Sequence, residues 1–122
     1  MSQVLVAIVD DDKCARKALG GLVRSLGHNA STFGSAEEFL RSEKLHDARC
    51  LITDVQMPGL KGTDLQDHLI AEGHRIPIIF ITAHPDENIR ARAIKAGAVG
   101  FLVKPIDPQH LTGCIEKALQ AA

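Results

Sequence analysis

The sequence predicts an α/β fold in which a parallel five-stranded sheet carries helices on both faces. Three observations predict it. Five short apolar runs alternate with five segments whose apolar residues recur at helical spacing, and such alternation implies parallel strands joined by right-handed crossovers. The first run, Val4–Val9, is continuous and rich in branched residues rather than alternating, as expected of a strand covered on both sides. Asp10, Asp54, Thr82 and Lys104 each follow an apolar run, which places them at the carboxyl ends of strands, where ligands bind in sheets of this kind.

In chain order, Val4–Val9 is the first strand, and an aspartate of Asp10-Asp11-Asp12 caps a helix beginning near Asp12. That helix carries Ala15, Leu19, Leu22, Val23 and Leu26 on one face, and Gly27 stops it. Asn29 to Phe33 is a weaker strand, expected nearer the sheet edge. Ser35 and Glu38 match a capping box for a helix that buries Phe39 and Leu40 and runs to about Leu45. Cys50 to Asp54 is the third strand. Thr63 and Gln66 match a second capping box, opening a helix through Leu65, Leu69 and Ile70 that Gly73 closes. Pro77–Thr82 is the fourth strand, with Pro77 at its first position, where a missing donor is tolerated. A charged helix over 86–96 ends at Gly97, and Val99–Val103 is the fifth strand. Asp107 and Pro108 read as N-cap and N1 of a last helix through Leu111, Ile115, Ala118 and Leu119.

The chain has 122 residues, the size of a single domain over 1–122, and 45% apolar with 24% charged residues suits a globular core. A formal net charge of −1 gives no footprint for nucleic acid. No apolar stretch approaches the roughly 18 residues of a membrane span, and no signal-like N-terminus precedes the first strand. Cys14, Cys50 and Cys114 are odd in number and form no Cys-x-x-Cys pair. Cys50 and Cys114 read as buried small hydrophobes and Cys14 as an unreactive neighbour of acids, and a reducing cytoplasm is the expected setting. The histidines show no zinc-ligand spacing.

The organising stretch is Leu51–Gly62, in which an apolar run ends at Asp54 and a loop with Pro58, Gly59 and Gly62 follows. Carboxylates crowded at one sheet edge repel unless a cation neutralises them, and an all-oxygen set suits Mg²⁺. Lys104 precedes Pro105 in a turn open to a cis bond, from which its ammonium could pair with Asp54. Read together, Asp54 is a nucleophile for phosphoryl transfer, with Mg²⁺, Lys104 and the Thr82 hydroxyl serving the phosphoryl oxygens.

At these residues the chain resembles the receiver domain of bacterial two-component response regulators. The resemblance rests on Val9-Asp10-Asp11, Asp54-x-x-Met57-Pro58-x-x-x-Gly62, Ile81-Thr82-Ala83 and Lys104-Pro105, and covers essentially the whole chain. Ser35–Leu40 and Ala93–Pro105 look most like the FixJ-type branch. The resemblance implies a flavodoxin-like (βα)5 three-layer sandwich with strand order 2-1-3-4-5. It implies that Asp54 takes a phosphoryl group from a sensor histidine kinase or phosphotransfer protein. Asp11, Asp54 and the main-chain carbonyl of Gln56 would bind Mg²⁺ (or Mn²⁺), with Asp10 acting through water. Lys104 and Thr82 match the phosphoryl-contacting pair, and Phe101 the switch aromatic.

Phosphorylation would draw Thr82 inward and let Phe101 follow, remodelling the face of the fourth helix, fifth strand and fifth helix, a surface used for homodimers or partners. Gln56 and His84 occupy positions that tune dephosphorylation. The module is expected to signal, assisting only its own phosphorylation and dephosphorylation. Its output would be transcription through a DNA-binding domain outside this chain, with a stand-alone phosphate shuttle as the alternative. A Mg²⁺-dependent aspartyl-phosphate phosphohydrolase is disfavoured by Gln56, since a second acid is expected there. A flavin or nucleotide site is disfavoured by the three aspartates of the first loop.

Overall fold

The computed structural model describes residues 4–121. Strands β1 (Leu5–Val9), β2 (Asn29–Phe33), β3 (Ala48–Asp54), β4 (Ile78–Thr82) and β5 (Gly100–Val103) alternate with helices α1 (Lys13–Ser25), α2 (Ala36–Leu40), α3 (Gly62–Ala71), α4 (Glu87–Lys95) and α5 (Pro108–Ala121). Every neighbouring pair is parallel, and the sheet order is β2-β1-β3-β4-β5. This is the flavodoxin-like order that the resemblance implied.

Side chains along each central strand point alternately to two apolar layers. Val6, Ile8, Cys50, Ile52, Ile79 and Ile81 pack beneath Leu19 and Val23 of α1 and Leu111 and Ile115 of α5. Ala7, Val9, Leu51 and Phe80 pack on the opposite side beneath Phe39 of α2, Leu65 and Leu69 of α3 and Ala93 of α4. The sheet is therefore sealed on both faces, and its polar chemistry is confined to the edge where the strands end. β2 lies at one border of the sheet, as its weaker pattern predicted.

Beyond one-residue shifts at the ends of β1, β4, α4 and β5, local structure differs from expectation at α2, its cap, α3 and β3. α2 ends at Leu40, and a separate 3-10 turn spans Glu43–His46. The reason is Ser42, whose extended backbone and hydroxyl, accepting from Lys44 N at 3.0 Å, cap a new turn. The Ser35 cap is present, its Oγ accepting from Glu38 N, but Glu38 Oε2 accepts from Gly34 N rather than from Ser35 N. α3 starts at Gly62, not Thr63, because Asp64 Oδ2 accepts from Lys61 N at 3.0 Å; Gln66 has no capping role. β3 begins at Ala48, two residues earlier than expected, and a register irregularity opposite Leu5 and Val6 admits one extra residue, Arg49.

Cys50 is fully buried as expected, Cys114 only partly, and Cys14 is exposed. Burial pushes the Cys50 thiol up to about 12 and the Cys114 thiol upward too. Among the described residues no helix is long and apolar enough to cross a membrane.

Candidate functional site

The three consecutive aspartates after β1 do three different things. Asp10 N donates to Phe33 O at 3.1 Å, holding the chain against β2 one residue beyond the strand. The Asp10 side chain is 0% exposed and its Oδ1 accepts from Asp12 N at 2.9 Å. Asp12 caps α1, accepting from Cys14 N and Ala15 N. Asp11 is left exposed beside the sheet edge. Arg16, a residue the sequence did not single out, donates from Nη1 to the Asp10 carbonyl at 2.8 Å and braces this turn from behind.

Asp54 ends β3 with 6% of its surface exposed. Its Oδ1 accepts from Gln56 N at 3.0 Å, which folds the following loop back over it. Gly62 packs so closely on that turn that a Cβ there would collide with the Asp54 carbonyl oxygen. Glycine at 62 is therefore required by approach, which lets α3 begin beside the acid.

Lys104 follows β5, and its N–H donates to Thr82 O at 2.8 Å, fixing where the side chain departs. The Lys104–Pro105 peptide is cis. Lys104 Nζ donates to Asp54 Oδ2 at 2.9 Å and to Asp10 Oδ2 at 3.2 Å, so one ammonium bridges two buried carboxylates. Burial tends to lower the Lys104 pKa, but its hydrogen bonds to both acids and their charges outweigh this and hold it above the ordinary value. Burial raises Asp10 above the ordinary carboxylate value, although the Asp12 N–H and Lys104 oppose the shift.

One carboxylate oxygen from each of Asp10, Asp11 and Asp54 lies within 4.8 Å of the others. Three carboxylates against one ammonium leave the cluster with surplus negative charge when all are ionised, and every donor is oxygen. That set fits a hard divalent cation such as Mg²⁺.

The remaining predicted residues are arranged around this cluster without joining it. Thr82 is buried at the end of β4, and its hydroxyl accepts from His84 N at 3.1 Å and lies 3.2 Å from His84 O, which it can reach as donor. The hydroxyl thus engages its own loop and makes no hydrogen bond to Asp54. Phe101 is half-buried and sits opposite Phe80 with ring centroids 6.1 Å apart. Gln56 is exposed, with its N–H committed to Asp54. Sequence reasoning also passed over Glu37 of α2. Its Oε2 accepts from Leu60 N at 3.4 Å across the loop after Asp54, while its Oε1 is buried without a partner. No periodicity or motif marks such a contact.

Residues 6–116 match the family model described as the response regulator receiver domain. The chain belongs to that family. Among curated relatives, response regulator protein TodT of Pseudomonas putida is 44% identical over 118 residues, covering 97% of this chain and 52% of TodT. Transcriptional regulatory protein FixJ of Bradyrhizobium diazoefficiens is 36% identical over 117 residues, covering 96% of this chain and 57% of FixJ. This receiver thus spans about half the length of the curated relatives it matches. Among solved structures, response regulator StyR superposes with a TM-score of 0.91 at 43% identity, over 98% of this chain and 61% of StyR. FixJ-N superposes with a TM-score of 0.88 at 35% identity, over 100% of this chain and 98% of that one. The receiver is accordingly a two-component signalling module with a flavodoxin-like fold.

Proposed function

We propose that Asp54 accepts a phosphoryl group from the phosphohistidine of a sensor kinase or phosphotransfer protein, in a Mg²⁺-dependent step. The observation that carries this reading is the Lys104 ammonium held between Asp54 and Asp10 at the sheet edge. It holds the Asp54 carboxylate in place at the sheet edge, with Oδ2 on Lys104 Nζ and Oδ1 on Gln56 N. An Asp54 oxygen forms the new P–O bond as the P–N bond to the donor histidine breaks. Lys104 then exchanges its contact with Asp54 for one with a phosphoryl oxygen, while Gln56 N continues to orient the carboxylate. Asp11, Asp54, Asp10 through water and the Gln56 main-chain carbonyl would hold the divalent ion. When bound, that ion supplies positive charge to the phosphoryl oxygens. The chain's own contribution is positioning and electrostatics.

The donor protein finds an apolar shelf next to Lys104, formed by Ala15, Leu19 and Leu22 of α1 with Pro105 and Ile106. On the output side, loading would break the Thr82–His84 contacts as the hydroxyl turns to the phosphoryl group, and Phe101 would follow. The face this alters carries exposed Ile94 (41%) and the edge-strand residue Val103 (47%), apolar surface suited to a homodimer through α4, β5 and α5. By analogy with transcriptional regulatory protein FixJ, the controlled output is transcription through a segment outside this chain.

The test is labelling by a small amidophosphate with Mg²⁺ present. The unmodified chain should gain one phosphoryl group, and Asp54→Ala should gain none. Labelling of Asp54→Ala to the same extent would overturn the assignment. Repeated turnover of a soluble phosphomonoester would instead favour a phosphohydrolase.

A further inference from the structure

Helix α4, on the proposed output face, is weakly held. Of its nine residues seven are exposed, Ile89 is half-buried and only Ala93 is fully buried. Apolar burial therefore contributes little to fixing it. Its C-terminal end is nevertheless tied at one point. Gln66, on the buried face of α3 between Leu65 and Leu69, is 3% exposed and donates from Nε2 to the Ala93 carbonyl at 3.1 Å. The same carbonyl accepts from Ala98 N at 3.0 Å, while Gly97 turns with φ +109° and donates to Ile94 O. This closure ends α4 and delivers the chain to β5, just before which Val99 N donates to Ile78 O at 2.8 Å.

A polar side chain buried among Leu65 and Leu69 costs free energy unless paired, and its pairing is with backbone, so the bond is independent of which side chains α4 carries. The other polar link between α3 and α4, Arg92–Asp67 at 3.4 Å, is exposed on both sides and adds little. Among the described residues no buried side-chain hydrogen bond ties the opposite end of α4, where Ile89 packs only partly buried against the core. That end is capped by its own Asp86 and follows the exposed loop 83–86 that leads from Thr82.

We propose that Gln66 is the positioning residue that latches the C-terminal end of α4 to α3, making that end the pivot and the Thr82-proximal end the mobile arm. The latch stands on the resting geometry; its part in switching rests on the phosphoacceptor reading above. Loss of the Thr82–His84 contacts would then swing the helix start while its exit into β5 stays in register.

Two measurements on the full chain without any phosphoryl donor test the latch, so its failure is separate from a failure of Asp54 labelling. In the unmodified protein, the Gln66 side-chain amide protons should exchange with solvent at least about ten-fold more slowly than those of exposed Gln56 and Gln109. In Gln66→Met, which keeps length and volume but has no donor, amide exchange over 96–99 should accelerate about five- to ten-fold, as expected for one lost buried hydrogen bond, with β1 and β3 unchanged. Ordinary exchange of the Gln66 amide overturns the proposal. So does unaltered protection over 96–99, or acceleration that extends equally through the sheet. If the Met variant fails to fold, the side-chain comparison in the unmodified chain decides alone.

Discussion

Lys104 Nζ sits 2.9 Å from Asp54 Oδ2 although fifty positions separate the two residues. The same nitrogen reaches Asp10 at 3.2 Å, ninety-four positions away. Three separate strand ends are thereby joined by one cation, and the phosphoacceptor chemistry proposed for this receiver follows from that junction.

Replacing Lys104 with Met removes the ammonium while keeping the stem. Phosphorylation of Asp54 by a small amidophosphate should slow by about 100-fold, the scale of losing one positioned charge-stabilising donor. Mg²⁺ affinity should rise, since the ion no longer shares the acids with a fixed cation. Labelling rates and calorimetric titration of the metal check the two halves independently.

Asp10 and Asp11 should separate on substitution. The folded-state pKa of Asp10 lies above its ordinary value of 3.8 because of burial, so folding binds extra proton and stability falls as pH rises from about that value through the folded pKa. Asp10→Asn removes this dependence. Without metal, it should match the native chain in acid and exceed it near neutral pH by about 1 kcal/mol, read from urea midpoints. Asp11 is exposed, so Asp11→Ala should leave stability within about 0.5 kcal/mol and instead abolish the Mg²⁺ dependence of labelling.

Gly62→Ala should destabilise the chain by about 1–3 kcal/mol, because the new methyl meets the Asp54 carbonyl oxygen and the start of α3 must move. Gly21, where an added Cβ meets nothing within 4 Å, is the matched control: Gly21→Ala should be neutral or stabilising by about 1 kcal/mol, as helix propensity dictates. Denaturant midpoints distinguish the two.

Cys14, read from its acidic neighbours as unreactive, is the exposed thiol, so exposure should set the order of reaction. Cys14 is exposed and Cys50 buried with its thiol pushed up to about 12. Iodoacetamide at neutral pH should therefore modify Cys14 first and Cys50 only after denaturant is added, as read by peptide mass spectrometry.

The sequence by itself determined the element order, the parallel sheet and the placing of Asp10, Asp54, Thr82 and Lys104 at strand ends. Those properties are periodic or local: an apolar run buries, an acid or Gly-Pro turn stops it, and alternation forces crossovers. The motifs also carried the family resemblance, because Asp54-x-x-Met57-Pro58 and Lys104-Pro105 keep their spacing along the chain. Tertiary structure alone decided which aspartate turns inward, which caps α1 and which stays in solvent, since three identical neighbours cannot be ranked by composition. It also decided that the Thr82 hydroxyl rests on His84, that Arg16 braces the Asp10 carbonyl, and that Gln66, read as a capping residue, instead reaches Ala93 on another helix. Each depends on a partner brought near by packing, and a hydrogen bond across 27 or 94 positions leaves no periodicity in the chain that makes it.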